Sequence, residues 1–124
     1  MTASISDAEA VVMDVIWRGG PTAADDVISA LASREKWQES TVKTLLGRLL
    51  RKGAISAKKE GRRYLYSPVL TRDQWLAAES KSFLDRMFDG RLAPLVSHFS
   101  QHKKLSKKDI VELKRLIQEL DDGH

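Results

Sequence analysis

At Gly53 the chain changes period. Before it, apolar residues recur at helical spacing in three successive stretches; after it, from Ala54 to Pro68, they alternate. One switch from a period of about 3.6 to a period of 2 restricts this part of the chain to short helices followed by a β-hairpin. The first stretch opens at Ser6, with Glu9 placed to complete a capping box. Val11, Val12, Val15 and Ile16 form its stripe, and "RGGP" from Arg18 to Pro21 stops it. Thr22 is the expected cap of a second helix with Asp25 in its first turn and Ala24, Val27, Ile28 and Leu31 on its buried face. A third helix is expected from Ser40 to Lys52, closed by Gly53, with Val42, Leu45, Leu46, Leu49 and Leu50 inward. The alternating segment reads as a hairpin turning at Glu60 and Gly61, with Ile55, Ala57, Tyr64 and Tyr66 sharing a face. Three short helices and a hairpin describe a winged helix-turn-helix.

A second helical unit follows. Thr71 and Gln74 form another capping box, opening a helix with Leu76, Phe83, Leu84, Met87 and Phe88 on its apolar side and Gly90 as its stop. Pro94 suits the first turn of a short helix carrying Leu95, Val96 and Phe99. Ser106 and Asp109 cap the last, whose stripe is Ile110, Leu113, Leu116, Ile117 and Leu120. The fold class is therefore mainly α with a small β-hairpin wing: a winged helix-turn-helix domain over residues 1–70 and a helical dimerisation unit over 71–124. Three amphipathic helices with little else to cover them are expected to bury their faces against a second copy. The expected homodimer interface comprises Phe83, Leu84, Phe88, Leu95, Val96, Phe99, Leu113, Leu116, Ile117 and Leu120.

Composition removes whole classes of chemistry. Cysteine is absent, which excludes disulfides, thiolate metal ligands and a cysteine nucleophile. No apolar run approaches the roughly 20 residues of a membrane span, and the N-terminus "MTASISDAEA" lacks the basic and apolar regions of a signal peptide, so a cytoplasmic protein is expected. The net charge of +4 is unevenly spread. Residues 1–38 carry a net −3, whereas residues 39–68 carry eight basic side chains against two acidic ones, a net +6. Positive charge gathered into one thirty-residue block points to a polyanion partner.

That block has an organised face. Opposite the leucines of the third helix lie Ser40, Lys43, Thr44, Gly47, Arg48 and Arg51, with Thr41 beside them, a row read as free of acids. Lys and Arg suit guanine edges and phosphates, and the threonine methyl suits thymine. The bland alternative is a solvated charged face. Gly47, which costs about 1 kcal/mol against alanine in a helix interior, either clears space where the backbone sits deepest in a major groove or is a tolerated cost. Lys58, Lys59, Arg62 and Arg63 flank the hairpin turn, placed for phosphates or a minor groove. His98 and His102 have metal-ligand spacing but no evident third ligand, so no metal or other cofactor is assigned. Trp17, Trp37 and Trp75 read as packing residues. Without a nucleophile motif or phosphate loop, the chain is expected to be neither an enzyme nor a binder of a small-molecule substrate. The residues alone leave two readings: a sequence-specific DNA-binding protein, or a winged-helix protein-interaction module with an incidental basic block.

The segments "SDAEAVVMDVIW", "TVKTLLGRLLRKGAI" and "YLYSP", and above all "SKSFLDRMFDGRLAPLVSHF" and "LSKKDIVELKRLIQEL", resemble the BlaI/MecI repressors of β-lactamase and methicillin-resistance genes over about residues 6–120. The resemblance implies a dimeric bacterial repressor that binds palindromic operators carrying TACA and TGTA elements. It places the recognition helix on Ser40 to Arg51, where relatives often have lysine at the position of Ser40 and threonine at that of Gly47. It also implies a partner, a membrane sensor with a zinc protease domain, that triggers cleavage within "LVxNF", between asparagine and phenylalanine. Here the segment is "LVSHF", and the corresponding bond is His98–Phe99. A cut there separates Lys103 to Leu120 from the rest of the dimer unit. The two DNA-binding halves then lose an effective-concentration advantage worth on the order of 100-fold to 10,000-fold. Copper-responsive relatives carry a cysteine-rich C-terminal motif that this chain lacks.

Overall fold

The computed structural model describes residues 4–123, so the sequence reading of the N-terminus falls partly, at Met1–Ala3, outside the described residues. The chain divides into two compact units, a first through Leu76 and a second from Ala77.

In the first unit, helix α1 (Asp7–Gly19) starts at the expected capping box, with the Glu9 amide donating to Ser6 Oγ at 3.1 Å and the Ser6 amide donating to Glu9 Oε1 at 2.7 Å. Strand β1 (Thr22–Ala23) precedes helix α2 (Ala24–Glu35), and helix α3 (Glu39–Lys52) follows. Gly53 closes α3 in the left-handed conformation, with φ +76°, and the chain passes into strands β2 (Ile55–Glu60) and β3 (Arg63–Pro68). The sheet is antiparallel in the order β1-β3-β2.

Three readings need correction. Thr22 does not cap α2, because its backbone pairs with Tyr66 of β3 and its hydroxyl donates to the Gly20 carbonyl at 2.7 Å. A third strand, invisible in two residues of sequence, takes the place of the cap. The hairpin turns one residue later than expected, through Gly61 and Arg62, since Glu60 is paired with Arg63. Gly61 has φ +65° and Arg62 is not left-handed, the pattern of a II′ turn with glycine at its first central position. Ile55, Ala57, Tyr64 and Tyr66 share a face as expected, with Ala57 opposite Tyr66. Leu50, finally, is 37% exposed and outside the core. On a helix of 100° per residue it lies at the edge of the buried arc, one turn on from Leu46 but about 100° round from Leu49.

The core of this unit is built from Val12, Met13 and Ile16 of α1, Val27 and Leu31 of α2, Val42, Leu45, Leu46 and Leu49 of α3, and Ile55. Trp17, Trp37 and Trp75 pack against it as partly buried residues. Trp17 and Trp75 lie 5.5 Å apart between ring centroids, and the Trp17 indole donates to the Leu70 carbonyl at 2.8 Å. This pair fastens the end of β3 to α1.

Helix α4 (Arg72–Phe88) spans the division between the units. It opens at the expected Thr71 and Gln74 box, with both reciprocal hydrogen bonds made. In the second unit, helix α5 (Leu92–Gln101) carries Pro94 in its first turn, and helix α6 (Lys107–Asp122) starts at the Ser106 and Asp109 capping box. No described side chain of α4, α5 or α6 is fully buried. Leu84, Phe88, Leu95, Val96 and Leu113 are half-buried, and Phe83, Phe99, Leu116, Ile117 and Leu120 are exposed.

Burial on α3 sets the expected mutational contrast. Leu49→Ala, at a fully buried site, should lower the unfolding free energy by about 3 kcal/mol, whereas Leu50→Ala should lower it by about 0.5 kcal/mol. Urea unfolding followed by circular dichroism measures both.

Candidate nucleic-acid interface

Because Val42, Leu45, Leu46 and Leu49 are held in the core, the opposite side of α3 is turned outward. Ser40, Thr41, Lys43, Thr44, Arg48 and Arg51 are all exposed there, and Gly47 is half-buried between them. The Thr44 hydroxyl donates to the Ser40 carbonyl one turn back at 2.9 Å, which fixes its rotamer and leaves its methyl and lone pairs free. Space is available at Gly47. An added Cβ would meet only the Arg51 guanidinium, at the ordinary van der Waals distance of 3.6 Å. Among the described residues nothing requires glycine at this position.

The row is not free of acids, contrary to the sequence reading. The helix begins one residue earlier, at Glu39, whose carboxylate meets Lys43 Nζ at 2.9 Å. The Glu39 hydrogen bond, with its charge, raises the Lys43 pKa above its ordinary value. An i, i+4 spacing was the available signal, missed by starting the helix at Ser40.

On the wing, Lys58, Lys59, Arg62 and Arg63 are exposed. Lys58 stands opposite Leu65 and Lys59 opposite Tyr64, so the ribbon presents cations on both faces, with Arg62 at its tip. Among the described residues, Arg48, Arg51 and these four form no ion pair.

Lys52 behaves differently. Its ammonium turns inward to Glu9 Oε1 at 2.5 Å and to the Ser4 carbonyl at 3.0 Å. Glu9, read from the sequence only as a cap, is 1% exposed, and its position in the core was not legible there. Burial pushes the Glu9 carboxyl up, but hydrogen bonds from Lys52 and Ser6 and the charge of Lys52 outweigh it and hold the carboxyl below its ordinary value of 4.5. One cation of the basic block is thus spent on joining the end of α3 to the start of α1.

In the second unit, the rings of Phe83 and Phe88 are 6.0 Å apart. Leu95, Val96, Phe99, Leu105, Leu113 and Leu116, with Asp109 and Glu112, line an open, mostly apolar groove of about 350 Å³ between α5 and α6. Ile117 and Leu120 continue the exposed apolar surface of α6. His98 and Phe99 lie inside α5, where the Phe99 carbonyl accepts from the Lys104 amide at 2.8 Å. The His98 and His102 rings stand 4.4 Å apart, and among the described residues no three His, Asp or Glu side chains group to hold a metal. Among the described residues no helix is long and apolar enough to cross a membrane.

The architecture has known counterparts. Residues 5–119 match the family described as penicillinase repressor. The chain belongs to that family. The penicillinase repressor of Bacillus licheniformis is 37% identical over 115 residues, covering 93% of this chain and 90% of that protein. The methicillin resistance regulatory protein MecI of Staphylococcus aureus (strain N315) is 30% identical over 116 residues, 94% of each chain. The solution structure of monomeric Bacillus licheniformis BlaI in complex with the blaP half-operator superposes with a TM-score of 0.54 at 38% identity, covering 60% of this chain and 90% of that one. The family is one of transcriptional repressors with a winged-helix fold.

The inward lysine gives a prediction. Lys52→Met leaves a buried carboxylate without its cation and should cost about 2–3 kcal/mol of stability. Because the folded state depresses the Glu9 pKa, the stabilisation is fully present above pH 4.5 and is lost as pH falls through the lower folded value. Denaturant midpoints of wild type and variant, measured from pH 7 downward, should therefore converge in acid.

Proposed function

We propose that this chain is a dimeric, sequence-specific transcriptional repressor of the bacterial cytoplasm that binds a palindromic operator. In this reading, the first unit supplies DNA contacts and the second supplies dimerisation. The observation that carries it is the exposed row from Ser40 to Arg51, backed by the core and continued by four exposed wing cations. Ser40, Thr41, Lys43, Thr44 and Gly47 enter the major groove, Arg48 and Arg51 hold flanking phosphates, and Lys58, Lys59, Arg62 and Arg63 grip the backbone beside them. The relative bound to its half-operator supports this assignment.

The apolar surface of α5 and α6, with Phe83, Leu84 and Phe88 of α4, supports pairing with a second copy. Relief of repression follows from cleavage of His98–Phe99 by a membrane sensor-protease. That bond lies within a helix, and a protease binds extended backbone, so α5 must open locally before it is cut. The regulated genes are those of β-lactam resistance, as in the named relatives.

Genome-wide mapping of bound sites, with and without a β-lactam, tests the whole reading. Inverted repeats upstream of a β-lactamase or sensor-protease gene that empty on exposure are expected. Sites that stay occupied would refute the inducer, and no enriched site would refute the repressor in favour of a protein-interaction module. On a purified duplex, Arg62→Ala with Arg63→Ala should weaken operator and random DNA alike and reduce the salt slope by about 2. Lys43→Ala should weaken the operator about tenfold more than random DNA, the scale of one base contact. Gly47→Ala should raise unfolding free energy by about 1 kcal/mol while weakening operator binding, a split that thermal melting and anisotropy titration resolve.

A further inference from the structure

The carboxylate of Glu39 is out of place on a face built for polyanions. It lies at the first residue of α3, the end of a recognition helix that reaches base edges, and its side chain is 62% exposed. The nearby phosphates of any duplex repel it. Its pair with Lys43, itself 61% exposed, adds little to stability in water and gives no structural reason for the acid.

What the pair presents outward is an acceptor and a donor side by side, 2.9 Å apart. The major-groove edge of a C·G pair is the complement: the cytosine N4 amino group donates, and the neighbouring guanine O6 and N7 accept. An A·T pair also offers an amino donor, but the thymine methyl would lie against the charged pair. We propose that Glu39 is a specificity-determining residue of the operator-binding surface, accepting from a cytosine N4 amino group in each half-site while holding Lys43 toward the guanine edge. The same carboxylate penalises every site that lacks the amino donor, so it raises selectivity more than affinity. Thr44, fixed by its bond to Ser40, lies deeper along the helix and reads the next step inward. This inference rests on the operator-binding reading above.

The test is selection of bound duplexes from a library randomised across both half-sites, with the full-length wild type, Glu39→Ala and Glu39→Gln at one salt concentration. Thermal melting of each protein establishes that the exposed substitutions leave the fold intact. Wild type should require cytosine at one position per half-site. Glu39→Ala should lose that requirement by about tenfold or more, keep the other positions, and bind random DNA more tightly; Glu39→Gln should shift the position toward adenine. A base profile unchanged in Glu39→Ala, or relaxed only where wild type does not select cytosine, overturns the proposal and leaves Glu39 as a brake on phosphate binding. A wild type with no base preference overturns the operator-binding reading itself, and this one with it.

Discussion

The burial of one face of α3 governs everything else in the first unit. Val42, Leu45, Leu46 and Leu49 enter a core shared with α1 and α2, and a helix is rigid enough that fixing one face fixes the other. The outward row is therefore not free to rotate or to collapse onto the protein. A charged row on an isolated helix would be a solvated surface; a row held out by four buried aliphatic side chains is a fixed surface. Gly53 ends the helix sharply enough for the wing to begin two residues later, which keeps the two basic elements adjacent.

The charges in this block have different tasks. Six are exposed and unpaired among the described residues, Lys43 is held by Glu39, and Lys52 is drawn inside by Glu9. Counting the block as a uniform net +6 overstates the cations that are free to meet a polyanion. The Lys52 and Glu9 pair instead links the last residue of α3 to the first turn of α1. Its removal acts on stability and leaves the exposed row of α3 unchanged in composition.

The second unit follows the opposite logic. Its helices are amphipathic, and α4 and α6 start at capping boxes, yet their described apolar residues are at best half-buried. Capping and periodicity make each helix locally definite without providing a closed core. The groove lined by Leu95, Phe99, Leu113 and Leu116 draws on residues from both sides of the His98–Phe99 bond.

Sequence alone determined the capping boxes at Ser6, Thr71 and Ser106, the change of period at Gly53, the core-facing stripes of α1 and α2, and which face of α3 is turned outward. These depend on capping residues, glycine stops and side-chain spacing, all of which act within about four residues. Even the Glu39 and Lys43 pair was within that range, and starting the helix one residue late hid it. Tertiary structure alone decided that Thr22 and Ala23 form a strand, because their partner Tyr66 and Leu65 lie more than forty residues away on β3. It also decided that Lys52 faces inward, since the Glu9 carboxylate that draws it is 43 residues distant. Local spacing can state that a side chain is charged or apolar, but which partner compensates its burial is settled only when the chain brings remote residues together.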